Sequence, residues 1–242
     1  MTTFNAARRP DFRAGREALS YDGYWERRGL SIQKKLLERE TVMLARVSSQ
    51  SSVLVVGCGT SRLPIALRDK GCMVTVSDIS PEAVALFTKE GMQGFVFDLE
   101  GFEDSDIPQS YDVVIASEVL EHIRNPERAV ELLSKHTKRF MLTIPNTGFY
   151  RYRIHLMFAG RFPVQWAHHP AEHLRYWTHI DFLDWCAAMD LHVEATIASN
   201  GLSCKGLCGF AKDWWPNLFG HQIVYDCTVK KVERASARQQ SS

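Results

Sequence analysis

Val53-Leu54-Val55-Val56-Gly57-Cys58-Gly59-Thr60-Ser61 is the stretch that decides the fold. A short apolar run leads straight into a G-x-G turn. Such a run suits a parallel strand covered on both faces, where no alternating polar side is needed. The glycines after it let backbone approach a ligand closely, beside the N-terminus of the next helix. A nicotinamide dinucleotide site needs G-x-G-x-x-G, and Arg62 stands at the third glycine position. A side chain there obstructs both the pyrophosphate and the packing of helix on strand, which points away from a dehydrogenase.

Outward from this turn, strand and helix patterns alternate. A helix is expected over about Ser61 to Lys70 and a strand over Met73 to Val76 ending at Asp78. Ser80 is placed to cap a helix that Pro81 opens. Gly94 to Phe97 reads as a strand ending at Asp98, and Tyr111 to Ala116 as one ending at Ser117. A helix over Pro126 to His136 and a strand over Arg139 to Ile144 follow. Thr178 and Asp181 form a capping-box pattern before the apolar Phe182, Leu183, Trp185, Cys186 and Met189. The last strands fall at Leu191 to Ala198 and Gln222 to Val229. Upstream, Ile32, Leu36, Leu37, Val42 and Leu44 form a helical stripe behind the aromatic stretch Tyr21 to Trp25. Repeated strand–helix units imply an α/β fold, a mostly parallel sheet with helices on both faces. The expected organisation is a mobile leader over 1–20, a single domain over 21–232 with an insertion over 146–177, and a flexible tail over 233–242.

Composition narrows the function. The 242 residues carry 29 basic and 28 acidic side chains, a net charge of +1, so the basic excess of a dedicated nucleic-acid binder is missing. DNA is not expected as a partner. The six cysteines are scattered, with Cys204 and Cys208 close together and no second pair at zinc-finger spacing. They read as reduced, mostly buried thiols of a cytoplasmic protein. No apolar run approaches the ~18 residues of a membrane span. Arg8, Arg9, Arg13 and Arg16, interrupted by Asp11 and Glu17, read as a disordered basic leader rather than a signal.

Asp78 and Asp98 join the glycine turn at the carboxyl edge of one sheet, where open α/β sheets bind ligands. Asp78 can accept both hydroxyls of a ribose or cap the helix beside Ser80; Asp98 can meet an adenine amino group or stand in a solvated turn. The segments VLVVGCGTS, VTVSDIS, VFDLE and YDVVIASEVLEHIRNPE resemble, in order and spacing, the signature segments of class I S-adenosylmethionine-dependent methyltransferases. The resemblance covers about Ser51 to Lys230. It implies a Rossmann-like, seven-stranded sheet with an antiparallel last strand. It also implies that Gly57, Cys58 and Gly59 cradle the methionine portion of S-adenosylmethionine. Asp78 and Ile79 would hold the ribose, Asp98 and Leu99 the adenine, and Ser117 would lie beside the sulfonium. Two positions depart from the family. Val55 stands where an acidic partner for the cofactor's ammonium is expected, and Ser61 replaces the third loop glycine.

Methyl transfer requires an aligned nucleophile and sometimes removal of its proton. Glu118, Glu121 and His122 follow the fourth strand at spacings that a helix would gather on one face. An exposed acidic pair with a capping histidine is the bland alternative. SEVLEH with the distant HLRYWT, which begins at His173, resembles ubiquinone-biosynthesis O-methyltransferases and small-RNA 2′-O-methyltransferases. That resemblance implies that Glu118, Glu121, His122 and His173 bind Mg²⁺ or Mn²⁺ and converge near the transferred methyl. Without metal, His122 or His173 is the candidate general base, with Glu121 beside them.

The insertion is rich in Phe149, Tyr150, Arg151, Tyr152, Arg153, His155, Phe158, Arg161, Phe162 and Trp166, and PNTGFYRYRIHLMFAGRFPV resembles MetW-like methyltransferases. It reads as an acceptor-side lid, with a membrane-surface helix or an RNA-stacking platform as alternatives. A helical lid over 21–47, with Tyr24 and Trp25, would close the opposite side. The expected activity is O-methylation of a small-molecule or glycan-like acceptor. The alternatives are RNA 2′-O-methylation at a metal site and a MetW-like regulatory partner that binds the cofactor.

Overall fold

The computed structural model describes residues 29–101, 103–162, 172–202 and 210–230. The expected leader, the tail, residues 163–171 of the insertion, and Cys204 and Cys208 lie outside them. Seven strands form one sheet: β1 (Ser52–Val56), β2 (Met73–Asp78), β3 (Gln93–Val96), β4 (Val113–Ser117), β5 (Arg139–Pro145), β6 (Leu191–Ser199) and β7 (Gln222–Val229). Their order is β3-β2-β1-β4-β5-β7-β6. Neighbours from β3 through β5 pair in parallel, while β7 runs antiparallel to both β5 and β6. The strand order therefore reverses between β1 and β4, which opens a crevice at their carboxyl ends.

β1 shows why the sequence folds this way. Leu54 and Val56 enter one apolar cluster, and Val53 and Val55 enter another on the opposite face. An apolar run with no polar alternation satisfies both faces at once. Helices cover them: α1 (Glu38–Arg46), α2 (Leu63–Asp69), α3 (Pro81–Thr88), α4 (Pro126–Leu133), α5 (Tyr150–Ala159), α6 (His179–Ala188), α7 (Ala211–Trp214) and α8 (Pro216–Phe219). Ser80 Oγ caps α3 by accepting the Ala83 N–H at 3.3 Å. At α6, Thr178 Oγ1 accepts from Asp181 N and Asp181 Oδ2 accepts from Thr178 N, the expected reciprocal box.

Some boundaries differ from the sequence expectation. The helical stripe from Ile32 to Leu44 yields only α1, because Leu37 is extended and the Glu40 carboxylate reaches back to accept its N–H at 2.8 Å. Within the expected lid over 21–47, Met43 of α1 and Val47 just after it are buried in the same cluster as Val53 and Val55. α4 stops at Leu133 rather than His136, because Lys135 and His136 donate to the carbonyls of Leu132 and Leu133 and tighten the last turn. Cys58, Cys72, Cys186 and Cys227 are buried and free. Among the described residues, no helix is long and apolar enough to cross a membrane.

Candidate functional site

The glycine turn, the end of β2 and the end of β4 meet at the crevice. Gly57 and Gly59 have φ of +63° and +47°, a region side chains rarely occupy. A Cβ on Gly57 would also stand 2.6 Å from a methyl of Val119, so the turn after β1 and the loop after β4 touch through a missing side chain. Gly57→Ala should therefore cost at least about 1–2 kcal/mol for the conformation alone. Val119→Ala in the same chain should return part of the additional loss, as read by denaturant unfolding.

Asp78 is 6% exposed and fastened at both oxygens: Oδ2 accepts the Gly59 N–H at 2.8 Å and Oδ1 the Ser80 N–H at 3.0 Å. Burial raises its pKa, and the N–H groups of Ser80, Gly59 and Ile79 oppose that rise. With those three N–H groups bound, about one of the carboxylate's four acceptor sites remains for a ligand's hydroxyl. Ile79 is exposed beside it, Leu99 is buried, and Asp98 is exposed with Oδ1 accepting the Glu100 N–H. Cys58 is buried under the turn. All these positions lie on the expected edge.

The segment after β4 departs from expectation. Glu118 takes φ of +56°, stopping any regular helix, and only Leu120–His122 form a 3-10 turn. Glu118 is fixed by its N–H, which donates to Thr143 O at 3.1 Å and Oγ1 at 3.0 Å, and by Gln222 Nε2, which donates to its Oε2 at 2.8 Å. The expected set of four accordingly divides. One ligand atom each from Glu121, His122 and His173 lie within 4.8 Å of one another, while Glu118 is turned to Gln222. His173 reaches the group because Leu174 and Arg175 both donate backbone N–H to the Glu121 carbonyl.

Within the trio the two imidazole rings lie 4.6 Å apart, edge to face. His122 Nδ1 is 2.6 Å from the Glu172 carbonyl. A carbonyl only accepts, so this nitrogen carries a proton and the contact fixes the orientation of the ring. Burial, then the His122 ring, holds the His173 pKa at about 3, so His173 is neutral at ordinary pH. Glu121 is 1% exposed, and neither of its carboxylate oxygens, nor His173 Nδ1, has a hydrogen-bond partner among the described residues. Burial, with the Glu118 charge second, pushes the Glu121 carboxyl well above the usual range.

Several residues at this edge carry no sequence signal. Arg39 in α1 donates to Ser117 Oγ and Gln222 Oε1, each at 3.2 Å, and Ser117 Oγ shares a hydrogen bond with Thr143. His221 pairs with the Tyr152 hydroxyl at 2.7 Å, and burial lowers its pKa. In the insertion, Phe149 and Tyr152 are buried, whereas Met157 and Phe158 are exposed on α5; Trp166 lies outside the described residues. Arg153 is bound to the Gly148 and Asn217 carbonyls at 2.5 and 3.4 Å, while Arg151 leans on Tyr150. The two arginines should therefore separate. Arg153→Ala should lower stability by about 1 kcal/mol, whereas Arg151→Ala should leave the melting temperature alone and raise the KM for the acceptor.

Strand order, glycine turn and acidic strand ends together give the Rossmann-like fold of the class I S-adenosylmethionine-dependent methyltransferases. The family model for methionine biosynthesis protein MetW matches residues 38–227, and the chain belongs to that family. A ubiquinone biosynthesis O-methyltransferase of Xylella fastidiosa (strain 9a5c) is 30% identical over 139 residues, 52% of this chain and 56% of that protein. Its counterpart in Rickettsia conorii is 31% identical over 114 residues, 46% and 39% of the two chains. The chain thus spans about half the length of the curated relatives it matches. Among solved structures, a TehB-like SAM-dependent methyltransferase from Corynebacterium glutamicum superposes with TM-score 0.55 at 16% identity, covering 86% and 93% of the two chains. Magnesium protoporphyrin IX methyltransferase from Synechocystis, with bound SAH, gives TM-score 0.57 at 16% identity, covering 89% and 98%. These structures share the fold.

Proposed function

We propose that the protein transfers a methyl group from S-adenosylmethionine to a hydroxyl oxygen of a small-molecule or glycan-like acceptor. The observation that carries this reading is the buried Glu121 carboxylate, without a hydrogen-bond partner among the described residues and beside two imidazoles. A hydroxyl is a poor nucleophile until its proton leaves, so O-methylation calls for such a site near the methyl donor. The donor set also suits a divalent ion. One ligand atom each of Glu121, His122 and His173 stand within reach of one ion, His173 is neutral, and Glu121 would contribute the charge. Glu121, His122 and His173 would hold Mg²⁺ or Mn²⁺, and a divalent ion there lowers the proton affinity of a hydroxyl brought to it. The ubiquinone biosynthesis O-methyltransferases among its relatives support oxygen as the methylated atom.

The MetW match favours a second reading, a cofactor-binding partner protein with a role in methionine biosynthesis. Incubating the purified protein with methyl-labelled S-adenosylmethionine and a metabolite extract separates the readings. Label on the oxygen of a small molecule is expected. Label entering RNA would replace the acceptor class, and cofactor binding without transfer to any acceptor would favour the partner reading.

A further inference from the structure

Of the described buried carboxylates outside the trio, Asp226 meets two arginines and Asp78 is held by backbone N–H groups of the ligand edge, while Glu40 lies apart from both. Glu40 is 2% exposed, and among the described residues it forms no ion pair with Lys, Arg or His. Its contacts are two neutral donors. The Leu37 N–H reaches Oε2 at 2.8 Å and the Ser61 hydroxyl reaches Oε1 at 2.6 Å. A carboxylate offers about four acceptor sites, so two remain. Buried glutamates are rare unless a cation or strong hydrogen bonds compensate them.

Position tells what the cation would be. Glu40 and Met43 form the inward side of α1, at helical spacing, and Val47 follows just past its end. Met43 and Val47 pack with Val53 and Val55 of β1, so Glu40 stands beyond them toward the carboxyl edge. Arg39, one residue earlier, reaches Ser117 at the end of β4, which fixes the first turn of α1 at that edge. Ser61, which aims the carboxylate, belongs to the glycine turn itself. Val55 is 3% exposed within the apolar cluster, so β1 supplies no acidic side chain to the turn.

We propose that Glu40 binds the α-ammonium group of the S-adenosyl amino acid, with Ser61 orienting its carboxylate. This rests on the glycine-turn edge being the cofactor site. The departures at positions 55 and 61 then become one arrangement. The carboxylate comes from α1 instead of β1, and the serine in place of a glycine provides the hydroxyl that holds it.

The test compares S-adenosylhomocysteine with 5′-methylthioadenosine, which keeps the nucleoside and sulfur but lacks the amino acid. Glu40→Gln should weaken S-adenosylhomocysteine binding about tenfold or more in calorimetry, a charge-assisted bond being lost, and leave methylthioadenosine unchanged. Equal losses for both ligands, or no loss for either, would overturn the proposal. If Glu40→Gln does not fold, Ser61→Ala takes its place: a loss confined to S-adenosylhomocysteine supports the proposal, and any other pattern overturns it. Failure of the wild-type protein to bind either ligand would instead defeat the cofactor-site reading on which this rests.

Discussion

Asp78→Ala should weaken binding of S-adenosylmethionine and S-adenosylhomocysteine about ten- to a hundredfold, because hydrogen bonds to a carboxylate contribute roughly 1.5–3 kcal/mol. The side chain acts twice. It holds the glycine turn through the Gly59 N–H, and it faces the crevice with about one acceptor site left over. Asp78→Asn keeps the volume but turns one acceptor into a donor facing an N–H, so it should also bind weakly. Acid should mimic these changes. The Asp78 pKa is raised by burial, so affinity should fall on acidification sooner than it would for an ordinary carboxylate. The stability of the free protein moves the other way at this residue. A folded-state pKa above the unfolded value adds stability at low pH, which is lost as pH rises through the folded pKa. Calorimetry across the acidic range, with a melting curve at each pH, measures both trends. Unchanged affinity in Asp78→Ala would remove the cofactor from this edge.

The strands were readable because one physical rule governs each. β1 is apolar on both faces, and the Ser80 and Thr178–Asp181 caps satisfy helix N–H groups within a few residues of themselves. Such local devices leave their pattern in the chain. The residues that shape the site do not. Glu118 adopts a left-handed backbone because Thr143, far along the chain, takes its N–H, and no periodicity announces that. An ideal helix would have brought Glu118 to Glu121 and His122; the strained turn sends it to Gln222 instead. Arg39 and Glu40 fell within an ordinary helical stripe, and only the packing of α1 on β1 brings them to the crevice. His173 was legible as a motif member. Its place beside His122 depends on two backbone bonds to the Glu121 carbonyl.

Chelation should abolish turnover, and Mn²⁺ or Mg²⁺ should restore it. Glu121, His122 and His173 offer ligand atoms within 4.8 Å of one another, and His173 needs no deprotonation above about pH 3. Glu121, by contrast, sets a pH limit on ion binding. Burial and the Glu118 charge favour its protonated form, and an ion must displace that proton. Ion uptake should thus release the Glu121 proton, and apparent affinity should rise with pH through the raised Glu121 value. Calorimetry of Mn²⁺ binding in buffers of different ionisation enthalpy measures that proton. His173→Ala should weaken the ion at least as much as loss of an outer-shell partner does, about ten- to a hundredfold. Glu118→Ala should weaken the ion less than His173→Ala does, since Gln222 already holds one oxygen of that carboxylate. If turnover survives chelation yet is lost in His122→Ala or His173→Ala, the trio removes a proton without metal and the ion is wrong. Full activity in both histidine variants would take the chemistry away from this cluster altogether.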